Sequence, residues 1–336
     1  MSRPIFAPNA NLPEYPPSAF QEDWRFLLEM AYSYGTDFVT LRSILKDVIV
    51  EFSVPFELCR PDYETRPTIE GWDSARSHRY MEALMCEVQV NAPEFEDCRV
   101  QAIHWGGGVA TMVNAQDVSR VMRFVRDHYT LAENAPITLR GSISGISGAS
   151  MPFYRRAGIT RFDLEMMSLY PVGYERVNNQ DSLGDFPVIC DYFLHSAAQN
   201  NTGVVLLYGY EKAEPRNLRR SVVELTRSKV VHLILQRAQG PFAVDDEVVK
   251  EQLVEIRPLL EEAGFVEYLP NRWAQPGCED KFAQLKALGS EIIGFGLSAT
   301  TVLDGAVTTT TDNLELYCEN SGNFAAITTA VSQASV

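Results

Sequence analysis

The sequence predicts an α/β fold, specifically a partial (βα)6 barrel of the TIM type. Short strand-like runs alternate with longer amphipathic helix-like runs, and each strand run is apolar throughout, as parallel strands buried on both faces are. A chain of 336 residues that is 46% hydrophobic is large enough to bury such a core. In barrels of this kind the functional site lies at the carboxyl ends of the strands.

The predicted elements follow one another in a regular order. After an arm rich in Pro and Asn, apolar residues at helical spacing predict a helix at 20–34. Strand runs and helix runs then alternate up to residue 263. The predicted strands are 48–52, 100–105, 137–139, 161–164, 204–207 and 231–235, and the predicted helices are 73–90, 114–129, 148–157, 184–199, 215–226 and 245–263.

This order predicts three regions. Residues 1–46 form an N-terminal arm and helix, and residues 47–265 form the partial barrel. Residues 266–336 form a C-terminal extension that covers one side of the barrel.

A run of three glycines, Gly106, Gly107 and Gly108, follows His104 and Trp105 at the end of the second predicted strand. Glycine has no Cβ, so bare backbone at this point can approach a ligand closely. Glycine runs also occur in ordinary tight turns. The order of the motifs around the run therefore decides how it is interpreted.

From about residue 48 to residue 324 that order resembles the oxygen-independent coproporphyrinogen oxidase and haem-chaperone branch of the radical SAM family. In that branch a strand ending in Pro-Phe is followed by Cys-x3-Cys-x2-Cys, a long helix and a strand ending in His-Trp-Gly-Gly-Gly. The matching pair in this chain is Pro55-Phe56. The resemblance implies a partial barrel of the radical SAM type that binds S-adenosylmethionine.

The cysteine motif of the branch is missing. Glu57, Pro61 and Glu64 stand at its three positions, and Cys59 lies between them. A [4Fe-4S] cluster needs several thiolate ligands, which one thiolate beside two carboxylates does not supply. We therefore expect no [4Fe-4S] cluster, no other metal and no radical cleavage of S-adenosylmethionine.

The resemblance also implies which residues contact S-adenosylmethionine. The backbone of Gly106, Gly107 and Gly108 would lie near the methionine amino group, and Ala238 would lie near the adenine. Four further positions of the branch's site carry different residues here. Arg140 stands at a ribose-binding Glu, Met167 at a Gln, Asn179 at a carboxylate-binding Arg and Val205 at an Asp.

Two groups of residues are candidates for catalysis. Glu57, Tyr63 and Glu64 occupy the former cluster loop, where a carboxylate could hold the ammonium group of the cofactor or act as a general base. The alternative is that this loop is a solvated turn. Asp163 and Glu165 end a predicted strand and would point into the barrel mouth. The histidines have no predicted partner, so we expect them in the core or on the surface.

Three functional hypotheses follow. The favoured one is a cluster-free enzyme that uses S-adenosylmethionine by polar, non-radical chemistry. It would transfer the methyl or aminocarboxypropyl group, or cleave or cyclise the molecule, for example to 1-aminocyclopropane-1-carboxylate with release of methylthioadenosine. The second is a non-catalytic paralogue that binds a ligand or partner, and the third is an unrelated reaction on a barrel that no longer binds the cofactor.

Composition restricts the partners. A formal charge of -15 without a basic cluster disfavours nucleic acids and anionic membranes, which leaves a small-molecule substrate. The amino terminus lacks the apolar run of a signal peptide, and no 18 apolar residues are consecutive, so we expect a cytoplasmic protein. The six cysteines have no Cys-x-x-Cys spacing and are expected to be reduced. The oligomeric state is not predicted.

Overall fold

The architecture is that of a partial parallel barrel with strands added at both edges. The computed structural model describes residues 45–57, 69–70, 73–142, 145–166, 202–209, 215–228, 230–238 and 243–333. Within these residues one large sheet contains nearly all strands, and a separate two-stranded sheet pairs β2 (Phe56–Glu57) with β3 (Ile69–Glu70).

Successive parallel strands form the centre of the large sheet. They are β1 (Lys46–Val54), β4 (Cys98–Gly107), β6 (Ile137–Ser142), β7 (Arg161–Met166), β8 (Thr202–Tyr208) and β9 (His232–Arg237), in that spatial order. A two-residue strand, β5 (Thr130–Leu131), pairs with β4. The predicted α/β barrel is thereby confirmed. Both faces of these strands are covered, so their residues are largely buried, and all seven residues of β8 are.

Helices connect the strands in the predicted order. They are α1 (Ser74–Asn91), α2 (Ala115–His128), α3 (Met151–Ala157), α4 (Pro215–Arg227) and α5 (Asp246–Glu262). The first two begin at side-chain caps, because Asp73 accepts from Ala75 N and Asn114 accepts from Gln116 N. The predicted helices 20–34 and 184–199 lie outside the described residues.

The C-terminal part of the chain contributes to both edges of the sheet. On the β9 edge lie β11 (Arg272–Ala274) and β10 (Val266–Leu269), both antiparallel additions. On the β1 edge one strand pairs in parallel with β1 and three antiparallel strands follow it. These strands are β12 (Glu291–Phe295), β13 (Thr300–Leu303), β14 (Ala306–Thr310) and β15 (Thr328–Gln333).

Three further helices belong to this part of the chain, α6 (Lys281–Ala287), α7 (Leu314–Asn320) and α8 (Phe324–Ile327). Helix α6 faces the barrel interior. Its Phe282 packs in a small apolar cluster with Ile49 of β1 and Ala102 of β4. Since these two residues lie nearer the amino ends of their strands than the glycine run does, α6 closes the interior on the side away from the glycines.

Aromatic packing outside the barrel fixes the strands that carry the glycine run. The Phe52 ring stacks on Trp105 at 4.3 Å and on Phe295 at 5.6 Å, which joins β1 to β4 and β12. All three side chains are at most 2% exposed. Burial of large aromatic side chains is among the strongest contributions to a core, so the ends of these strands are held rigidly.

Candidate functional site

The glycine run forms a turn that packs against the end of β1. Gly107 has a φ of 97°, a conformation that residues with a Cβ rarely adopt. A Cβ at Gly107 would lie 2.6 Å from Ser53 Oγ, and one at Gly108 would lie 2.8 Å from Val54 O. The turn therefore packs closely against the end of β1, and this packing alone requires glycine at positions 107 and 108.

A cavity of about 580 Å³ opens beside this turn and extends into the barrel interior. Inward-facing residues of the strands line one side, and the β10–β11 hairpin and α6 line the other. Its size is in the range of small-molecule sites. The lining residues are Glu51, His104, Gly107, Gly108, Arg140, Asp163, Ile234, Gln236, Leu269, Pro270, Arg272, Asp280, Phe282, Ala283, Lys286 and Ala287.

Two predicted site residues, Arg140 and Glu165, form an ion pair on neighbouring strands. Arg140 Nε donates to Glu165 Oε1 at 2.6 Å, and Arg140 Nη2 donates to Gln236 Oε1 at 2.6 Å. Both ion-pair side chains are less than one-fifth exposed. The sequence predicted a place at the site for Arg140 and for Glu165. It did not predict that Glu165 balances the charge of Arg140, or that Gln236 accepts a hydrogen bond from Arg140.

The other predicted carboxylate, Asp163, is buried in a hydrogen-bonded row. Its Oδ1 lies 2.9 Å from His232 Nδ1, and His232 Nε2 lies 2.7 Å from the Tyr268 hydroxyl. Burial alone would raise the pKa of Asp163, but His232 and the guanidinium groups of Arg161 and Arg272 hold that pKa below its usual range. Asp163 is therefore an ionised carboxylate inside the barrel.

The sequence did not indicate that His232 belongs to this row, because no partner of the histidine could be predicted. The missing information was strand register: Asp163, Gly203 and His232 are neighbours across β7, β8 and β9. Three inward positions at the same level of a barrel are far apart in sequence. Only the pairing of the strands brings them together.

His104 also faces the cavity. Its ring stacks on Phe282 at 5.0 Å, and burial lowers the pKa of the imidazole. Beside it, Lys286 Nζ donates to Glu51 Oε2 at 2.9 Å. Both polar and apolar groups of β1, β4 and α6 therefore contribute to one wall of the cavity.

The remaining predicted residues are only partly described. The backbone of Glu57 pairs with Glu70, and Val205 is buried in the middle of β8. Ala238 follows β9, where its N–H donates to Tyr208 O at 2.8 Å. Tyr63, Glu64, Met167 and Asn179 lie outside the described residues, so their roles stay predictions.

Comparison with known proteins finds similar sequences and a similar fold. No protein-family model matches the chain. The haem chaperone HemW of Mycobacterium tuberculosis is 24% identical over 220 residues, which are 60% of this chain and 55% of that protein. An oxygen-independent coproporphyrinogen III oxidase of Salmonella typhimurium is 24% identical over 151 residues, which are 45% of this chain and 33% of that protein. The chain thus matches about half or less of the length of these relatives.

The fold comparison extends further along the chain. Coproporphyrinogen III oxidase from Escherichia coli, a radical SAM enzyme, superposes with a TM-score of 0.75 over 94% of this chain and 81% of that one, at 16% identity. In sequence and in fold, the chain therefore resembles radical SAM proteins. The predicted resemblance to radical SAM proteins is thus confirmed, as is the α/β fold with a partial barrel.

The same relatives correct the functional prediction. A cluster-free enzyme using polar, non-radical chemistry was expected, with transferase or lyase activity. The polar, non-radical chemistry in this prediction is wrong, because the sequence relatives are a coproporphyrinogen oxidase and a haem chaperone and the superposed structure is of a radical SAM enzyme. Among the described residues, no helix is long and apolar enough to cross a membrane.

Proposed function

We propose that this protein is an S-adenosylmethionine-dependent enzyme of the radical SAM superfamily that binds its cofactor at the carboxyl-terminal mouth of the barrel. One observation carries the proposal. The turn of Gly106 to Gly108 ends β4 beside the carboxyl end of β1 and borders a cavity large enough for a small molecule. This is the end of the strands where barrels of this type bind ligands.

The residues at the mouth suit a cationic cofactor. The sulfonium of S-adenosylmethionine is positive, and Arg140 alone would repel it. Glu165 lies 2.6 Å from Arg140 and balances its charge. Ala238 uses its N–H to bond Tyr208 O, so a contact with the adenine amino group would be made by the Ala238 carbonyl oxygen.

The residues present do not fit the [4Fe-4S] cluster of radical SAM enzymes. Segment 58–68 contains a single cysteine, Cys59. Among the described residues, the one set of three side chains close enough to hold a metal is His78, Glu82 and Asp117, which contains no thiolate. The proposed enzyme therefore binds its cofactor without the cluster, and no step of a reaction is derived through that group.

The charge balance at Arg140 gives a sharp test. Calorimetric titration of the full chain should show S-adenosylmethionine binding, and Glu165→Gln should weaken it about tenfold, because the variant removes a negative charge near the sulfonium. The uncharged thioether S-adenosylhomocysteine should lose much less affinity. The matched control is Glu267→Gln on β10, which breaks a similar ion pair with Arg257 of α5.

Two results would count against the proposal. The first is an absence of S-adenosylmethionine binding by the folded parent protein. The second is an equal loss of affinity for both compounds in Glu165→Gln, which would show that the ion pair supports the fold and does not face a sulfonium.

A further inference from the structure

The part of the cavity below the glycine turn is a polar chamber. We define it by Glu51, His104, Asp163, Phe282, Ala283 and Lys286, all of which line the cavity. It lies between the inner faces of the strands and α6. Nothing in the proposed cofactor site requires these residues.

Asp163 has one oxygen without a partner in this chamber. The residue is 1% exposed and its Oδ1 is bonded to His232, but Oδ2 has no hydrogen-bond partner among the described residues. An ionised carboxylate oxygen left unpaired in the interior is costly, so such atoms usually meet a donor. The second oxygen of Asp163 therefore needs a donor beyond the described residues, which a ligand in the chamber would supply.

His104 provides a second unpartnered atom. Its Nδ1 is buried and has no partner among the described residues, although the ring is fixed by stacking on Phe282. Because the pKa of this imidazole is lowered, the ring is neutral near pH 7 and one of its nitrogens can accept a hydrogen bond.

The cations around the chamber already have anionic partners. Lys286 bonds Glu51, Arg140 bonds Glu165, and Arg272 lies 3.9 Å from Asp280. None of these pairs involves Asp163, whose partner is His232. Arg161 and Arg272 act on the charge of Asp163 through space, but Oδ2 has no hydrogen-bond donor among the described residues. The requirement that remains in the chamber is thus a hydrogen-bond donor at Asp163 Oδ2, and a cationic donor suits an ionised carboxylate.

Apolar side chains line the cavity in and around this chamber. Ile234, Leu269, Pro270, Phe282 and Ala283 all face the cavity. A charged head at Asp163 with a hydrocarbon chain along these residues would satisfy both kinds of surface.

We propose that the chamber binds a small aliphatic primary amine, with its ammonium group on Asp163 Oδ2 and its hydrocarbon part against Phe282 and Ile234. The chamber is part of the same cavity as the proposed cofactor site, and the amine proposal does not depend on cofactor binding. The barrel would then have a second ligand, and the negative charge and fixed position of Asp163 would select an amine.

The test uses n-butylamine as the probe, with n-butanol and butyrate as matched molecules. Ligand-observed NMR on the full chain should detect n-butylamine and should detect the alcohol or the acid at least about tenfold more weakly. Asp163→Asn should reduce n-butylamine binding by about tenfold or more. Asp117→Asn, which changes another buried Asp that faces a histidine, should leave binding unchanged.

A second variant keeps the test decisive if Asp163→Asn does not fold. Ala283→Leu adds an apolar side chain that reduces the chamber from the α6 side without removing a polar group, and it should abolish n-butylamine binding. Equal binding of amine and alcohol, or unchanged binding in either folded variant, would overturn the proposal, as would no binding to the parent. Parallel titration with S-adenosylmethionine distinguishes the amine site from the cofactor site, because Ala283→Leu should keep the parent's affinity for S-adenosylmethionine. Loss of S-adenosylmethionine binding alone would assign the chamber to the cofactor and overturn a separate amine site.

Discussion

Asp163 reaches across Gly203 to His232, with 2.9 Å between Asp163 Oδ1 and His232 Nδ1. Gly203 is the register neighbour of both residues, on the strand between them. A Cβ at Gly203 would overlap Asp163 Oδ1 and lie 2.9 Å from His232 Nδ1. The hydrogen-bonded pair therefore requires glycine on the middle strand.

Gly203→Ala should destabilise the protein by about 1–3 kcal/mol, because the added methyl group displaces a buried carboxylate from its partner. Denaturant unfolding measures the change. Gly148→Ala is the control, since a Cβ there meets nothing within 4 Å, and it should change the free energy of unfolding by less than about 0.5 kcal/mol. Equal effects of the two substitutions would contradict the close packing at Gly203.

The buried carboxyl of Glu87 should make stability depend on pH. Burial raises its pKa to about 7 from an ordinary value of 4.5, and hydrogen bonds from Tyr317 and Gly296 N partly offset this rise. Because the folded state holds its proton more tightly than the unfolded state, the free energy of unfolding should fall as pH rises from about 4.5 to about 7. The expected loss from this group is about 3 kcal/mol. Denaturant unfolding across this pH range measures it.

Glu87→Gln removes this titration. The difference in unfolding free energy between parent and variant should therefore shift with pH across the same window and become constant above it. A difference that stays constant from pH 4 to pH 8 would show that Glu87 titrates normally.

The Tyr317 hydroxyl donates to Glu87 Oε2 and so stabilises the carboxylate form. Tyr317→Phe should raise the pKa of Glu87 further and cost about 1–3 kcal/mol at pH 8. The cost should be smaller at pH 5, where Glu87 is protonated. Carboxyl NMR titration and unfolding at the two pH values check both effects, and a cost that is the same at both would contradict the ionic hydrogen bond.

The glycine turn should be strained by any side chain even without a ligand. Gly107→Ala should cost about 1–3 kcal/mol of stability, because of its positive φ and the contact with Ser53 Oγ. Ser53→Ala in the same chain should recover part of that cost, and a double-mutant cycle measures how much. Strictly additive effects would show that the Ser53 hydroxyl does not restrict the turn.

The sequence was sufficient to predict the barrel but not the contacts among its inward-facing side chains. Runs such as 204–207 predict buried parallel strands because they are apolar throughout, and the glycine turn follows from its motif. The partners of Arg140 and Asp163 could not be predicted, since they depend on which inward positions share a level of the barrel. Helix α6 has only seven residues, too few to produce a clear helical period, yet it provides one wall of the chamber.

Equilibrium binding of S-adenosylmethionine to the protein, purified in air and analysed for iron and sulfide, tests the central claim most directly. We predict saturable binding at one site per chain, with iron and sulfide far below the four of each that a [4Fe-4S] cluster contains. Binding that appears only after anaerobic reconstitution with iron and sulfide, at four of each per chain, would contradict the account.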